Sequence, residues 1–347
     1  ETTGRQARTL HRLLEFQPAA GGFQRDRDTP LEVDIVIVDE TSMLDAQLAA
    51  ALFAALPREA RLVLVGDPDQ LPSVGAGNVL ADLIASGMVP RVHLTHIYRQ
   101  AQASQIVMNA HRINQGEMPV LEPEPGQHRD FRFFSVSNDK ERAPMEANDK
   151  LIRYLTEVLP KSNIDRIRSV QILTPMHHGP VGARALNVLL QKTLNPVASP
   201  QDVLKLGERE FRLGDRVMQM RNNYDKDVFN GDIGFISRID REKSECTIQF
   251  DNAINYSSSE LDEVQLAYAI TVHKSQGSEF PIVILPLVTQ HFMMLRRNLL
   301  YTAITRARKL VVIIGQRKAL WIAVQRGYAD EDRRFTGLAD RLRQAVG

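Results

Sequence analysis

Residues 33–38 read VDIVIV, an unbroken apolar run that stops at Asp39-Glu40. A run of this length without polar alternation predicts a strand buried on both faces of a parallel sheet. MLDAQLAAALFAAL (43–56) follows, rich in strong helix formers, with an Asp or Ser available as cap and Pro57 as stop. RLVLVG (61–66) is a second buried run, ending in the loop DPDQLPSVGAG; a helix is predicted over Asn78–Ala85 and a third strand at RVHLT (91–95). This alternation predicts a parallel sheet covered by helices. Ahead of it, Thr9–Leu14 has amphipathic helical spacing. Between them, Gly21-Gly22 flanked by Phe16 and Phe23 reads equally well as a hairpin or as a solvated loop.

A second α/β block begins near residue 100. Helices are predicted near 101–115, 144–159, 181–194 and 296–306, and strands at SVQILTP (169–175), IVILPLV (282–288) and KLVVIIG (309–315). Residues 205–262 differ. Short alternating stretches (RVMQM, IGFISRID, CTIQF, AINYSS) are separated by turn signals such as Asn230-Gly231 and Asp251-Asn252, the pattern of a small β-barrel-like insert. The expected organisation is α/β with 1–98 as a first domain, 99–204 with 263–347 as a second, and 205–262 inserted into the second. A length of 347 residues agrees with two domains and an insert.

Composition changes this picture little. Hydrophobic residues are 43% and charged residues 24%, which excludes collagen-like, low-complexity and wholly disordered chains. No apolar run reaches the about 18 residues of a membrane span, and no signal-peptide core opens the chain. Cys246 is the single cysteine, so neither an internal disulfide nor a cysteine-built zinc site is available. A reducing, cytoplasmic setting is expected. A net charge of +1 excludes a strongly basic DNA-coating protein, so nucleic acid would have to meet a local basic surface. Glu1 is not preceded by Met and helical spacing starts at once, so the sequence reads as a piece of a longer chain.

Five segments carry candidate chemistry. Asp39 and Glu40 end a buried strand, where open α/β sheets bind ligands. An Asp there can hold Mg²⁺ through its water shell, and the adjacent Glu can polarise a water for attack on a γ-phosphate; helix capping is the alternative use. Asp67 and Gln70 follow the next buried strand, where Gln70 can hydrogen-bond both phosphate and attacking water, while Gly66, Gly75 and Gly77 permit a tight backbone path. Arg99 in YRQ is a candidate clamp on phosphate oxygens, although a surface arginine reads the same way. TVHKSQGSEF (271–280) is a loop able to contact a phosphodiester backbone through Thr271, His273, Lys274 and Ser275, with Glu279 able to accept from a ribose hydroxyl. Arg306 and Arg308 lie at a predicted helix end, where they suit a developing phosphoryl charge or simply the helix dipole.

Taken in this order, the segments resemble superfamily 1 helicases. VDETSM resembles motif II, GDPDQLPSVGAG motif III, YRQ motif IV, VHKSQGSEF motif V and LLYTAITRAR motif VI. TGRQARTLHRLLE is similar to motif Ia of the RecD-like branch, and LTPMHHGPVGARALNVLLQ and GDRVMQMRNNYDKDVFNGDIG are also RecD-like. The resemblance implies two RecA-like motor domains with ATP and Mg²⁺ between them, an SH3-like subdomain at 205–262, and a strand-separating pin at 16–30. It implies 5′→3′ translocation on single-stranded DNA and unwinding at single-strand/duplex junctions, in recombination or repair, with RecBC-like subunits as partners or none and no membrane. Carried over by position, Asp39 binds Mg²⁺, Glu40 activates water, Gln70 and Arg99 sense the γ-phosphate, Asp67 and Gly277 line the nucleotide site, Glu279 meets the ribose and Arg306 is the arginine finger. Thr9, His11, Thr174, His273, Lys274, Asn223 and Tyr224 are the DNA contacts it implies.

One departure is plain: the phosphate loop G-x-x-x-x-G-K-S/T is absent, and no Gly-Lys dipeptide occurs in the sequence. In the family this loop precedes motif Ia. The expectation is that it lies before Glu1, that these residues alone are a poor ATPase, and that the first domain is incomplete. A single-strand-binding module, or a regulatory subunit of an exonuclease V-type complex without its own ATPase, is the alternative. An RNA helicase fits the DETS, VHKSQGSE and YTAITRAR segments less well, and no separate carboxylate cluster supports a nuclease.

Overall fold

The computed structural model describes residues 7–17, 21–95, 103–122, 128–162, 164–327, 334 and 336–346. The chain divides into two units, 1–96 with 328–347, and 97–327.

The first unit opens with α1 (Leu10–Leu13), whose first turn is capped by Thr9 accepting the Arg12 N–H. A minimal antiparallel hairpin follows, β1 (Phe16–Gln17) against β2 (Gly22–Phe23), with Phe16 opposite Phe23. β3 (Ile35–Val38) pairs in parallel with β4 (Arg61–Leu64). Between them runs α2 (Ala46–Ala55), later in the chain than the apolar composition predicts. Asp45 is the cap, accepting the Leu48 N–H at 2.8 Å, and Thr41–Met43 form a single 3-10 turn before it. α3 (Val79–Ser86) ends at Gly87 in the left-handed conformation. Leu14, Leu31, Val36, Val38, Leu52 and Ala55 form the core here.

Two expectations are corrected in this unit. β3 is not buried on both faces: Val36 and Val38 point into the core, while Ile35 and Ile37 are exposed, as is Val63 on β4. RVHLT is not a strand: residues 91–95 are irregular, with Val92 88% and Leu94 89% exposed. Apolar content alone does not make a strand, because a strand exists only where a neighbour accepts its backbone hydrogen bonds.

The second unit contains α4 (Gln105–Asn114), β5 (Phe131–Ser135), α5 (Arg142–Arg153), β6 (Val170–Thr174) and α6 (Ala183–Leu194) before the insert. The insert comprises β7 (Val203–Leu206), β8 (Arg209–Arg212), β9 (Arg216–Gln219), β10 (Ile233–Asp240), β11 (Glu245–Gln249), β12 (Ala253–Ser257) and β13 (Val264–Leu266). β14 (Ala269–Thr271), β15 (Phe280–Leu287), α7 (Arg297–Thr305), β16 (Ala307–Gly315) and α8 (Arg317–Gln325) complete the unit.

Its main sheet is wholly parallel in the order β14-β6-β15-β16-β5. β6 is buried at every position, as the unbroken run QILT requires when helices cover both faces. The insert folds around a core of its own, including Phe211, Val217, Ile248 and Tyr256, under an antiparallel sheet ordered β12-β11-β10-β9-β13.

Asp215 and Arg216 fasten the insert to the motor sheet. Asp215 is fully buried and accepts from the Arg212 N–H, Gln191, Asn195 and the Tyr268 hydroxyl. Burial pushes its carboxyl above the ordinary carboxylate range, and these four donors oppose that push. Arg216 donates to Ile167 O and Val170 O, beside the base of β6.

The last helix, α9 (Leu338–Val346), belongs to the first unit, whereas the second motor domain was expected to run to 347. Leu338 packs on the cluster of Leu44, Ala49 and Val79. Thr336 donates to Asp82, and Arg343 to Ala85 O at 2.6 Å. Among the described residues no helix is long and apolar enough to cross a membrane.

Candidate active site

Because β3 and β4 are parallel, their carboxyl ends lie side by side, the position at which open α/β sheets take ligands. Asp39 follows β3 directly and is exposed; its Oδ1 accepts the Glu40 N–H at 2.8 Å. Glu40 has φ 51° and ψ 41°, a left-handed backbone. That conformation costs a non-glycine residue about 1–2 kcal/mol and persists only where the surroundings impose it. Thr41 imposes it here. Its N–H donates to Val65 O at 2.9 Å, and its hydroxyl reaches Val38 O at 3.1 Å and Val65 O at 2.8 Å. The ends of the two strands are thereby tied together behind the carboxylates.

The loop after β4 is shaped to the same end. Asp67 Oδ1 accepts the Asp69 N–H at 3.0 Å, and Gln70 Nε2 donates to Asp67 Oδ2 at 3.4 Å. A Cβ on Gly66 would stand 3.0 Å from Thr41 N, so this glycine lets the loop lie against the Asp39-Glu40 turn. A Cβ on Gly75 would stand 2.2 Å from Asp45 Oδ2, the cap of α2. Gly75→Ala is therefore expected to displace that cap and lower stability by about 1–2 kcal/mol, the worth of a lost N-cap, measurable by denaturant unfolding. Asp39, Glu40, Asp67 and Gln70 thus come together in one unit. Arg99 lies outside the described residues.

In the same unit, Thr9 is exposed and serves as the α1 cap. His11 belongs to an aromatic cluster with Phe16 and Phe23, at ring separations of 5.5 and 5.6 Å.

In the second unit the 271–280 loop and the α7–β16 junction are joined. Phe280 N–H donates to Arg306 O at 2.8 Å, and Arg306 Nη1 donates to Ser278 O at 3.4 Å. Arg306 is only 4% exposed, so its guanidinium is tucked under this loop rather than displayed. Glu279 is exposed and paired with Arg308 at 2.7 Å. Gly277 turns the loop at φ 73°, where a side chain would be strained.

The DNA candidates of this unit separate into two groups. Lys274 Nζ donates to Asn230 Oδ1 at 2.8 Å, which brings the 271–280 loop to the β9–β10 loop of the insert. Asn223 and Tyr224 lie on that loop: Asn223 donates to Glu263 at 3.3 Å, and Tyr224 is 40% exposed, edge-on to Phe229. Burial lowers the pKa of both His273 and Lys274. Thr174 and Ser275, by contrast, are fully buried, their hydroxyls donating to Val181 O and Val272 O at 2.7 Å each. A hydroxyl so committed is not presented to a ligand.

Sequence reasoning missed Thr41, Asp45 as cap, and Asn230 as partner of Lys274. For Asn230 the Asn-Gly turn was a visible signal; nothing local pointed to its partner.

Three stretches match known families: residues 1–125 the AAA domain, 186–250 the ATP-dependent RecD-like DNA helicase SH3 domain, and 266–314 the UvrD-like helicase C-terminal domain. The chain is 37% identical over 354 residues to the ATP-dependent RecD2 DNA helicase of Deinococcus radiodurans, an alignment covering 99% of this chain. It belongs to the RecD-like superfamily 1 helicases. A second RecD-like relative, the RecBCD enzyme subunit RecD of Mycolicibacterium smegmatis, is 30% identical over 351 residues and 99% of this chain. The RecD-like chain spans 44% of the first relative and 60% of the second, about half the length of the curated relatives it matches. A crystal structure of Bacteroides Pif1 helicase in complex with ADP-AlF3 and ssDNA superposes at TM-score 0.49 and 18% identity, over 98% of this chain and 84% of that one. The RecD-like fold is α/β with RecA-like parallel sheets, and its insert is the SH3-like domain.

Proposed function

We propose that this RecD-like chain is the motor portion of an ATP-dependent 5′→3′ single-stranded DNA translocase that unwinds duplex DNA during recombination or repair, in the cytoplasm. The observation that carries the reading is the turn at the end of β3. There Thr41 holds Glu40 in a strained backbone beside Asp39, with the Asp67–Gln70 loop packed against it.

This geometry suits ATP hydrolysis. Glu40 takes the proton of the attacking water, while Gln70 orients that water and reports the γ-phosphate to its loop. One exposed carboxylate joined by phosphate oxygens is an ordinary donor set for Mg²⁺, which fits Asp39. When bound there, Mg²⁺ neutralises phosphate charge. Arg306 supplies positive charge to the transferring phosphoryl group, Arg99 clamps the γ-phosphate, and Glu279 and Gly277 meet the nucleoside side. Leaving its carbonyl partner at Ser278 is what the Arg306 role requires of the guanidinium.

Lys274, His273, Asn223 and Tyr224 hold single-stranded DNA by phosphate contact and stacking. The cluster of His11, Phe16 and Phe23 offers aromatic faces to a base at the junction, which supports the 16–30 segment as a pin. RecBC-like subunits are the partner class that the RecD relatives' names point to.

The test uses the full-length protein, with ATP and Mg²⁺, on forks with a 5′ tail, a 3′ tail or an all-RNA duplex. Unwinding confined to 5′-tailed DNA is expected. Equal unwinding from 3′ tails, or no DNA-stimulated ATP turnover, overturns the reading. The second outcome would favour a binding subunit without its own ATPase, which the missing Gly-Lys dipeptide keeps as the alternative.

A further inference from the structure

Residues 73–77 turn three backbone carbonyls toward one point. Such a convergence of carbonyl oxygens creates a local negative potential and leaves acceptors that no strand or helix satisfies. The Ser73 hydroxyl reaches Gly75 O at 3.2 Å and Gly77 O at 3.5 Å, and a side chain from far along the sequence completes the set. Arg334 Nη1 donates to Gly75 O at 2.5 Å, to Gly77 O at 2.7 Å and to Ser73 Oγ at 3.2 Å, and Nη2 donates to Ser73 O at 2.6 Å. A guanidinium presents five N–H donors in a fixed planar fork that spans these acceptors, whereas a lysine ammonium offers three donors around one nitrogen without that fork.

The opposite side of the loop is blocked by the α2 cap, since the Gly75 Cβ position collides with Asp45 and that of Gly77 lies 2.8 Å from Ala46 Cβ. Ala46 N–H also donates to Ala76 O at 2.8 Å. The loop is therefore gripped from both sides, by α2 and by Arg334. The segment after Arg334 has anchors of its own, at Asp82, at Ala85 O and through Leu338, so its place does not depend on the arginine.

We propose that Arg334 is a positioning residue for ATP hydrolysis, holding the 67–77 loop so that Gln70 and Asp67 stand at the carboxyl end of β4. The proposal rests on the ATPase reading above for its consequence in turnover, but not for its consequence in loop order. The carboxyl-terminal segment then acts as a strap on the γ-phosphate-sensing loop of the first unit.

The test compares the unaltered full-length protein with Arg334→Ala, Arg334→Lys and Arg343→Ala. The readouts are amide hydrogen exchange and steady-state ATP turnover with single-stranded DNA. In Arg334→Ala, amides of 67–77 are expected to exchange about 10-fold faster, the scale of lost charge-assisted hydrogen bonds. Amides of α3 and α9 should keep their protection. Turnover should fall about 10-fold in kcat with KM for ATP nearly unchanged, because Gln70 acts on the transition state rather than on nucleotide binding. Arg334→Lys should recover only part of the loss. Arg343→Ala, which leaves the loop's carbonyl partners in place, should match the unaltered protein.

Unchanged exchange at 67–77, or faster exchange with unchanged kcat, overturns the proposal. So does equal loss of protection across α3 and α9, which would make the strap a stability element only. If the unaltered protein turns over no ATP, the functional reading fails separately, and exchange alone decides whether Arg334 orders the loop.

Discussion

Glu40→Gln is expected to lower DNA-stimulated ATP turnover by about 10²–10⁴-fold, the usual worth of a positioned general base, while single-strand affinity is retained. The amide matches the carboxylate in size but cannot accept the water's proton. The substitution also preserves the turn. Glutamine occupies the left-handed backbone at 40 no worse than glutamate, and the bonds of Thr41 to Val38 O and Val65 O do not involve the side chain at 40. A fall in turnover can then be assigned to chemistry rather than to a collapsed loop. Steady-state turnover and fluorescence-anisotropy titration of labelled single strands are the measurements. Turnover within a few-fold of the unaltered protein would falsify the assignment of Glu40 as the base.

Arg306→Ala should have an effect of similar or larger size, about 10³–10⁵-fold in kcat, if this guanidinium neutralises the transferring phosphoryl group. Its position adds a second consequence. Arg306 ends α7, is nearly covered, and donates to the carbonyl of Ser278 next to Glu279. Truncation removes packing as well as charge, so thermal unfolding of the variant must accompany the kinetics. Arg306→Lys separates the two contributions: it keeps a positive charge and most of the stem but loses the planar fork. A large loss of kcat in both variants, with unfolding temperature preserved in the lysine variant, is the expected pattern. Full activity in Arg306→Lys with reduced stability in Arg306→Ala would reassign the residue as a clip between the α7–β16 junction and the 271–280 loop.

The residues that sequence reading grouped as one nucleotide site are divided between two units of the chain. Asp39, Glu40, Asp67 and Gln70 are brought together by the parallel pairing of β3 with β4. Arg306, Gly277 and Glu279 are brought together by the pairing of β15 with β16, in which Phe280 stands opposite Ala307. Each half was legible because its residues border strands whose apolar runs are continuous in sequence, after β3 and β4 in the first unit and before β15 and β16 in the second. The DNA candidates were less legible. Lys274 meets Asn230, 44 positions away, whereas Thr174 and Ser275 turned inward. A hydroxyl in a loop motif reads identically whether it faces solvent or a carbonyl one turn back.

Local order along the chain settles most of the elements of this protein: the apolar runs at 35–38, 170–174 and 280–287 as strands, the glycine and proline stops, and the alternating insert with its Asn-Gly turn. These follow from periodicity and steric preference within a few residues, which are properties of the segment itself. Tertiary structure alone decides three other things. One face of β3 and β4 stays open and RVHLT stays irregular, because burial and strand pairing depend on a neighbour and not on apolar content. The last helix joins the first unit, because Leu338 finds Leu44, Ala49 and Val79 there. And Arg334 reaches Ser73, 261 positions back in the chain, because the carbonyls of a tight glycine turn, met locally only by the Ser73 hydroxyl, take a further donor that no local pattern can name.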